Sequence, residues 1–498
     1  MLTRENLRLK ANARIDGREQ DSLTDDELIL NAYEKWGEDC VKHLIGDFAF
    51  AIWDERLQRL FCARDHMGVK PFFYTHVGGN FNFSSTLNEL RLVSGVSNAL
   101  NEIAIGDYLL FGVNQDNSTT TFKDIQRLPP GHTLTFANNE IKIRRYWAPS
   151  VPAEVRFRDS ESYVERFSEL LSLAVRDRLR TDRVAISMSG GLDSTSLAAI
   201  ASEHAKVAGF SVVYDMLIPD EERHYSNLAA KHLGIPVTHL SADGYGLFDG
   251  RLDQAEPFLL SVMTGQFNEL LRLCAEFGSV ALTGYDGDAL MHEPRVKIRT
   301  RIRRMLRKAD SVDDSFPAWI DEEFAKRTAL RERWREFWVS RDQRGKRPAA
   351  MRALNSKIWT SLFEGYDPGS TKVQLEVSHP FLDIRLIEYL LAIPSEPWCI
   401  KKHILRRAMS DKLPAAVLDR SKTGLMGSPA LQLVQRGGVR WLDNFEVSPQ
   451  LRAFVNLNRR LPVAEEKTSD ALWASLRVFA LNHWLTHSQP KMETMHGT

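Results

Sequence analysis

The sequence predicts an α/β chain in two parts: an N-terminal antiparallel α+β sandwich, then a doubly wound parallel sheet that passes into a helical C-terminal part. Three observations carry this. Short alternating apolar runs separated by Gly and Asn turns crowd the first part. After residue 160, apolar strands alternate with helical stretches, the pattern of a parallel sheet with crossover helices. At one strand-to-helix junction stands Ser189-Gly190-Gly191-Leu192-Asp193-Ser194, small residues at a helix N-terminus, which make an anion site.

The elements follow in order. Leu7–Ala11, Phe48–Asp54 and Arg59–Asp65 alternate as strands, and Phe72–Tyr74 and Phe81–Ser85 flank the turn Gly78-Gly79-Asn80. Thr24 caps a helix over Asp25–Tyr33. Pro129-Pro130-Gly131 turns into a hairpin ending near Trp147, and Pro149 and Pro152 mark a linker. Ser160–Arg180 has helical periodicity, with Tyr163, Phe167, Leu170, Leu171, Ala174 and Val175 on one face. Val184–Met188 is the strand before the glycine loop and Thr195–Ala201 lies in the helix after it. Ala208–Val213, Val237–Leu240 and Ser279–Gly284 are further strands, with a helix over Glu221–Leu233. The chain is mostly helical from residue 315, where Trp334 and Trp338, four apart, are assigned to the core.

Composition narrows the class. A chain of 498 residues with 43% hydrophobic and 26% charged residues is that of an ordinary globular protein of two to four domains. Lys plus Arg equals Asp plus Glu at 65 each, which gives no general attraction to nucleic acid. The four cysteines, Cys40, Cys62, Cys274 and Cys399, lie far apart, so neither a zinc pair nor a disulfide framework is indicated. With no membrane-spanning run and no apolar leader, the expected location is the cytoplasm, without a membrane partner.

The glycine loop lacks the Lys of a Walker P-loop. Its Asp193 would repel a phosphate unless a cation lay between them, which implies Mg²⁺. Thr283-Gly284-Tyr285-Asp286-Gly287-Asp288 closes another strand, so a doubly wound sheet brings Asp288 beside Asp193 at one metal-pyrophosphate unit. Glu376-Val377-Ser378-His379-Pro380-Phe381-Leu382-Asp383, Lys401-Lys402-His403-Ile404-Leu405-Arg406-Arg407 and Arg420-Ser421-Lys422-Thr423-Gly424 follow. Taken singly, each is as well read as packing or a solvated surface.

The SGGxDS loop resembles the pyrophosphate loop of the N-type ATP pyrophosphatases. In this order, the motifs make the chain similar to the asparagine synthetase family. Gly46–Asp54, Ala63–Tyr74, Phe83-Ser84-Ser85 and Leu128–His132 resemble that family's glutaminase-like domain, so essentially the whole chain is covered. The resemblance implies a glutaminase-like remnant over 1–148 and an ATP-pyrophosphatase domain over 160–498. It implies ATP as co-substrate, with Ser189, Gly190, Gly191, Asp193 and Ser194 on the pyrophosphate and Met188, Ser211 and Gly284 around the nucleotide. Asp193 and Asp288 would hold Mg²⁺, Glu376 would help deprotonate the attacking amine, and Lys422 would stabilise charge in the transition state.

The departures are as informative. The glutamine-dependent members use an N-terminal Cys nucleophile, and the match here begins only at Leu7–Arg14. Asp25 stands where the family has a Ser-Asp pair that grips glutamine, but the family's Asn-Gly-Glu reads Asn12-Ala13-Arg14, and whether or not residues precede Met1, Ala13 and Arg14 imply loss of glutamine hydrolysis. Gly-Glu-Gly-x-Asp-Glu is Gly284-Tyr285-Asp286-Gly287-Asp288-Ala289, and Ser378-His379 stand where the asparagine makers carry Arg, which puts aspartate in doubt. Relatives without glutaminase, the β-lactam synthetases and lasso-peptide cyclases, use an amine already in the substrate. The chain is nearest in flavour to the cyclases. That implies a small-molecule or peptide carboxylate substrate, with a leader-peptide protease and a recognition protein as partners. Asparagine synthesis from ammonia is the alternative, and a non-catalytic binding partner is the alternative of another class. The basic run Arg295–Arg304 reads as a solvated face or a rim for an acidic partner.

Overall fold

The computed structural model describes residues 8–9, 23–249, 255–257, 262–293, 315–340, 345–421, 427–437, 442, 444–460 and 462–487. Its N-terminal strands are β1 (Arg8–Leu9), β2 (Leu44–Ile45), β3 (Ala49–Asp54), β4 (Arg59–Arg64), β5 (Phe73–Val77), β6 (Asn80–Ser84), β7 (Gln126–Arg127), β8 (His132–Ala137) and β9 (Glu140–Arg145). They form antiparallel sheets ordered β3-β4-β8-β9 and β6-β5-β7, with β1 paired to β2. Strand alternation gives the first sheet two apolar faces. Ala49, Cys62 and Leu134 meet Tyr74 and Leu128, while Phe48, Phe50, Ile52 and Phe61 meet helix α1 (Asp25–Trp36). Thr24 and Glu27 form a reciprocal capping box at the start of that helix.

The second part is a parallel sheet of β10 (Arg183–Ser187), β11 (Lys206–Val213), β12 (Val237–Ser241), β13 (Val280–Thr283) and β14 (Glu376–Ser378), ordered β12-β11-β10-β13-β14. The order reverses between β10 and β13, which is where an open α/β sheet leaves a crevice at its strand C-termini. Helix α2 (Ser160–Arg176) buries the predicted apolar face but ends before Arg180. After it come α3 (Leu192–Ser202), α4 (Glu222–Leu233), α5 (Gly287–Met291), α6 (Leu330–Ser340), α7 (Ile358–Tyr366) and α8 (His403–Ala408). On α6, Trp334 is buried as expected, whereas Trp338, near the helix end, is 38% exposed and stands edge-on to it. Among the described residues, no helix is long and apolar enough to cross a membrane.

Candidate active site

The two loops at the reversal are pressed into one another, and their glycines allow it. Gly190 has φ +63°, and a Cβ there would lie 2.7 Å from the Ser226 amide of α4. A Cβ on Gly284 would lie 2.9 Å from the Ser194 amide, and one on Gly287 only 2.6 Å from the carboxyl carbon of Asp193. Within the first loop the Ser189 amide donates to Ser194 Oγ at 3.1 Å, and Thr195 Oγ1 donates to the Gly191 carbonyl at 2.8 Å. Gly191 caps α3 without a side chain, which leaves the first-turn amides turned toward a ligand.

Lys402 completes the centre. Its Nζ lies 2.6 Å from Asp193 Oδ2 and 2.7 Å from Asp288 Oδ1, so the two carboxylates named from sequence converge on one point. Lys401 and Lys402 both have positive φ, +49° and +58°; the Lys402 amide donates to the Met291 carbonyl at 2.8 Å. Arg406 donates to the carbonyls of Lys401 at 2.9 Å and Arg420 at 3.0 Å, which ties this turn to the late loop. Arg420 in turn pairs with Glu222 at 3.0 Å and lies 4.0 Å over the Tyr225 ring. These groups border a cavity of about 560 Å³ that Ser189, Gly191, Asp193, Ser194, Gly284 and Asp288 also line. Beside it the Asp286 carboxyl, φ +67°, is pushed up to about 8 by burial and by Asp193 and Asp288.

Other predicted residues stand elsewhere. Met188 is buried against Gly209, and Ser211 is buried on β11 with no hydrogen-bond partner for its Oγ among the described residues; neither lines the cavity. Glu376 does not line it either. It pairs in register with Val280 at the opposite end of the sheet, where burial raises its carboxyl and Lys70 lowers it. Lys422, the run Arg295–Arg304 and Asn12-Ala13-Arg14 lie outside the described residues. His379 sits behind the cavity wall, with Nδ1 2.6 Å from Thr283 Oγ1, and burial depresses it to about 3, so it is neutral. Sequence reasoning gave Glu222, Arg420 and Lys402 no role; Lys402 stood in Lys-x-x-Leu-Arg and Arg420 opened the late-loop motif, while Glu222 carried no signal beyond its helix.

In the N-terminal part the motif residues build structure. Arg64, fully buried, donates to the carbonyls of Lys70, Leu128 and Gly68. Asp65 accepts the amides of Met67, Gly68, Val69 and Lys70. Asp25 is 7% exposed and pairs with Arg180 at 2.8 Å. All four cysteines are buried, and burial pushes their thiols up, to about 12 for Cys40 and Cys274 and about 11 for Cys399.

A glycine-serine loop at a helix N-terminus, whose own Asp193 meets Asp288 of the neighbouring loop at a parallel sheet's switch point, has the form of an anion and nucleotide site. The sequence comparisons make the chain an ATP-dependent carbon–nitrogen ligase. Residues 166–486 match the asparagine synthase family and residues 5–147 the glutamine amidotransferase domain family. The chain belongs to the asparagine synthase family. It is 30% identical over 463 residues to an asparagine synthetase [glutamine-hydrolyzing] 3 of Bacillus subtilis, covering 84% of this chain and 73% of that one. A putative asparagine synthetase 2 of Methanocaldococcus jannaschii is 33% identical over 207 residues, 40% of each chain. A second B. subtilis enzyme, asparagine synthetase 2, is 31% identical over 226 residues, 43% of this chain and 30% of its own.

Proposed function

We propose that the chain adenylates a side-chain carboxylate with ATP and transfers it to an amine that glutamine hydrolysis does not supply, most specifically an amine of the same molecule, so that a precursor peptide closes to a macrolactam. The carboxylate oxygen would attack the α-phosphorus as pyrophosphate leaves; the amine would then attack the acyl carbon as AMP leaves. The first-turn amides of α3 would hold the departing pyrophosphate, and Lys422 would stabilise the charge that builds on the reacting oxygens. Two carboxylates that already converge on a cation suit Mg²⁺, which is bound by one or two carboxylates plus phosphate oxygens. Among the described residues no His, Cys, Asp or Glu group of three or more forms a metal site on its own. When bound, Mg²⁺ would neutralise charge on the leaving phosphates.

The observation that carries the amine assignment is the fate of the glutaminase groups. Asp25 is committed to Arg180 across the boundary between the two parts, and Ala13-Arg14 stand where the family has Gly-Glu. Ser378-His379 in place of the Arg of the asparagine makers supports a carboxylate substrate other than free aspartate. Synthesis of asparagine from aspartate and ammonia is the second reading, favoured by the synthetase relatives. The test supplies ATP with aspartate and ammonia, with aspartate and glutamine, and with peptides bearing an internal Asp or Glu, and follows pyrophosphate and products by mass spectrometry. Pyrophosphate release with a peptide that loses one water supports the proposal. Asparagine made from ammonia moves the assignment to the second reading, and asparagine made from glutamine overturns the amine assignment.

A further inference from the structure

We infer that Lys402 is the resident counter-ion of the pyrophosphate metal site: its ammonium holds the place between Asp193 and Asp288 until a divalent cation arrives together with the nucleotide, and then turns onto the phosphates. This rests on the reading that Asp193 and Asp288 serve that cation.

The geometry is specific. Two carboxylates from different loops bring oxygens to 2.6 and 2.7 Å of one nitrogen, on a lysine only 8% exposed. Loops pressed together this closely would set like charges against each other without a cation between them. The backbone is bent to deliver it. Lys401 and Lys402 both occupy the left-handed region, where side chains other than glycine's are disfavoured, and such a conformation persists only when its surroundings enforce it. Here they do: the Met291 carbonyl accepts from the Lys402 amide, and Arg406 holds the Lys401 carbonyl. With the ammonium in place, part of the carboxylates' charge is already neutralised, which weakens their hold on Mg²⁺, an ion that gives up water reluctantly. Triphosphate oxygens add the charge that accommodates both cations. Metal and nucleotide would therefore bind as one unit rather than in sequence.

The experiment titrates the full-length protein with Mn²⁺, read by electron paramagnetic resonance, with and without a non-hydrolysable ATP analogue. Without nucleotide, the wild type and Lys402→Arg should bind Mn²⁺ weakly, and Lys402→Gln about tenfold or more tightly. Asp193→Asn added to Lys402→Gln should remove that gain. Lys402→Gln binding no tighter than wild type overturns the inference. So does a wild type that binds Mn²⁺ equally well with and without nucleotide, a comparison that holds even if the Gln variant fails to fold. Mn²⁺ that binds no form, even with nucleotide present, overturns the metal reading beneath it.

Discussion

Single residues at the site carry conflicting demands, and Asp286 shows this most plainly. It stands at φ +67°, where the family pattern has glycine; Asp is one of the few residues that tolerates this conformation. Its carboxyl is 9% exposed, and burial followed by the charges of Asp193 and Asp288 raises it to about 8 from 3.8. Between those two values the unfolded chain has lost the proton and the folded chain keeps it. Stability contributed by this group is therefore full below about pH 4 and declines as pH rises toward 8, by at most about 1.4 kcal/mol per pH unit. Asp286→Asn removes the titration and keeps the backbone preference. The variant should match wild type in thermal melts near pH 4 and exceed it progressively from pH 5 to pH 8. A constant difference across that range would show that Asp286 does not titrate there.

At the scale of elements, the site depends on how closely α3 and α5 approach. The Asp193 carboxylate passes over Gly287, whose absent side chain leaves the room. Gly287→Ala would place a methyl 2.6 Å from that carboxyl carbon, and the flexible end of Asp193 must move. Displacement of a ligand by about 1 Å costs on the order of a hundredfold in turnover. We expect pyrophosphate release to fall by roughly that factor in Gly287→Ala, with the melting temperature little changed; unchanged kinetics would mean that Asp193 needs no such approach. This level also separates what the sequence could disclose from what it could not. The strand-loop-helix order located Asp193, Gly284 and Asp288, because local pattern and sheet topology determine them. Local pattern cannot show which of two adjacent lysines turns inward; the left-handed backbone at Lys401 and Lys402 decides that. Nor can it pair Glu222 with Arg420, 198 residues apart. Glu376 was legible as a motif position but not as a place, since only the register against Val280 shows which end of the sheet it occupies.

Over the whole molecule, the two parts are joined by charge as well as by apolar contact. Arg178, 2% exposed just beyond α2, donates to Asp47 at 3.2 Å in the N-terminal sandwich and to Asp383 at 3.0 Å beside β14. Arg385 holds Asp383 and Asp177 from the other side, each at 2.7 Å. Two motifs that look independent in the sequence, Gly46-Asp47-Phe48 and Pro380-Phe381-Leu382-Asp383, thus meet at one guanidinium. The partners are unequally placed. For Asp383, burial raises the carboxyl, but the Arg385 hydrogen bond and Arg178 outweigh it and hold it at about 2. For Asp47, burial outweighs Arg178 and the carboxyl is raised. Arg178→Met would therefore strand Asp47 far more than Asp383, which keeps Arg385. A buried ion pair broken from one side costs about 3–5 kcal/mol, most of it the penalty on the charge left behind. We expect Arg178→Met to lower stability by about that much, and Asp47→Asn added to it to recover most of the loss, whereas Asp383→Asn added instead should recover little. Denaturant unfolding of the three variants checks this. Equal recovery from either Asn would mean that Arg385 does not hold Asp383 independently, and no recovery from Asp47→Asn would mean that the joint between the two parts is not electrostatic.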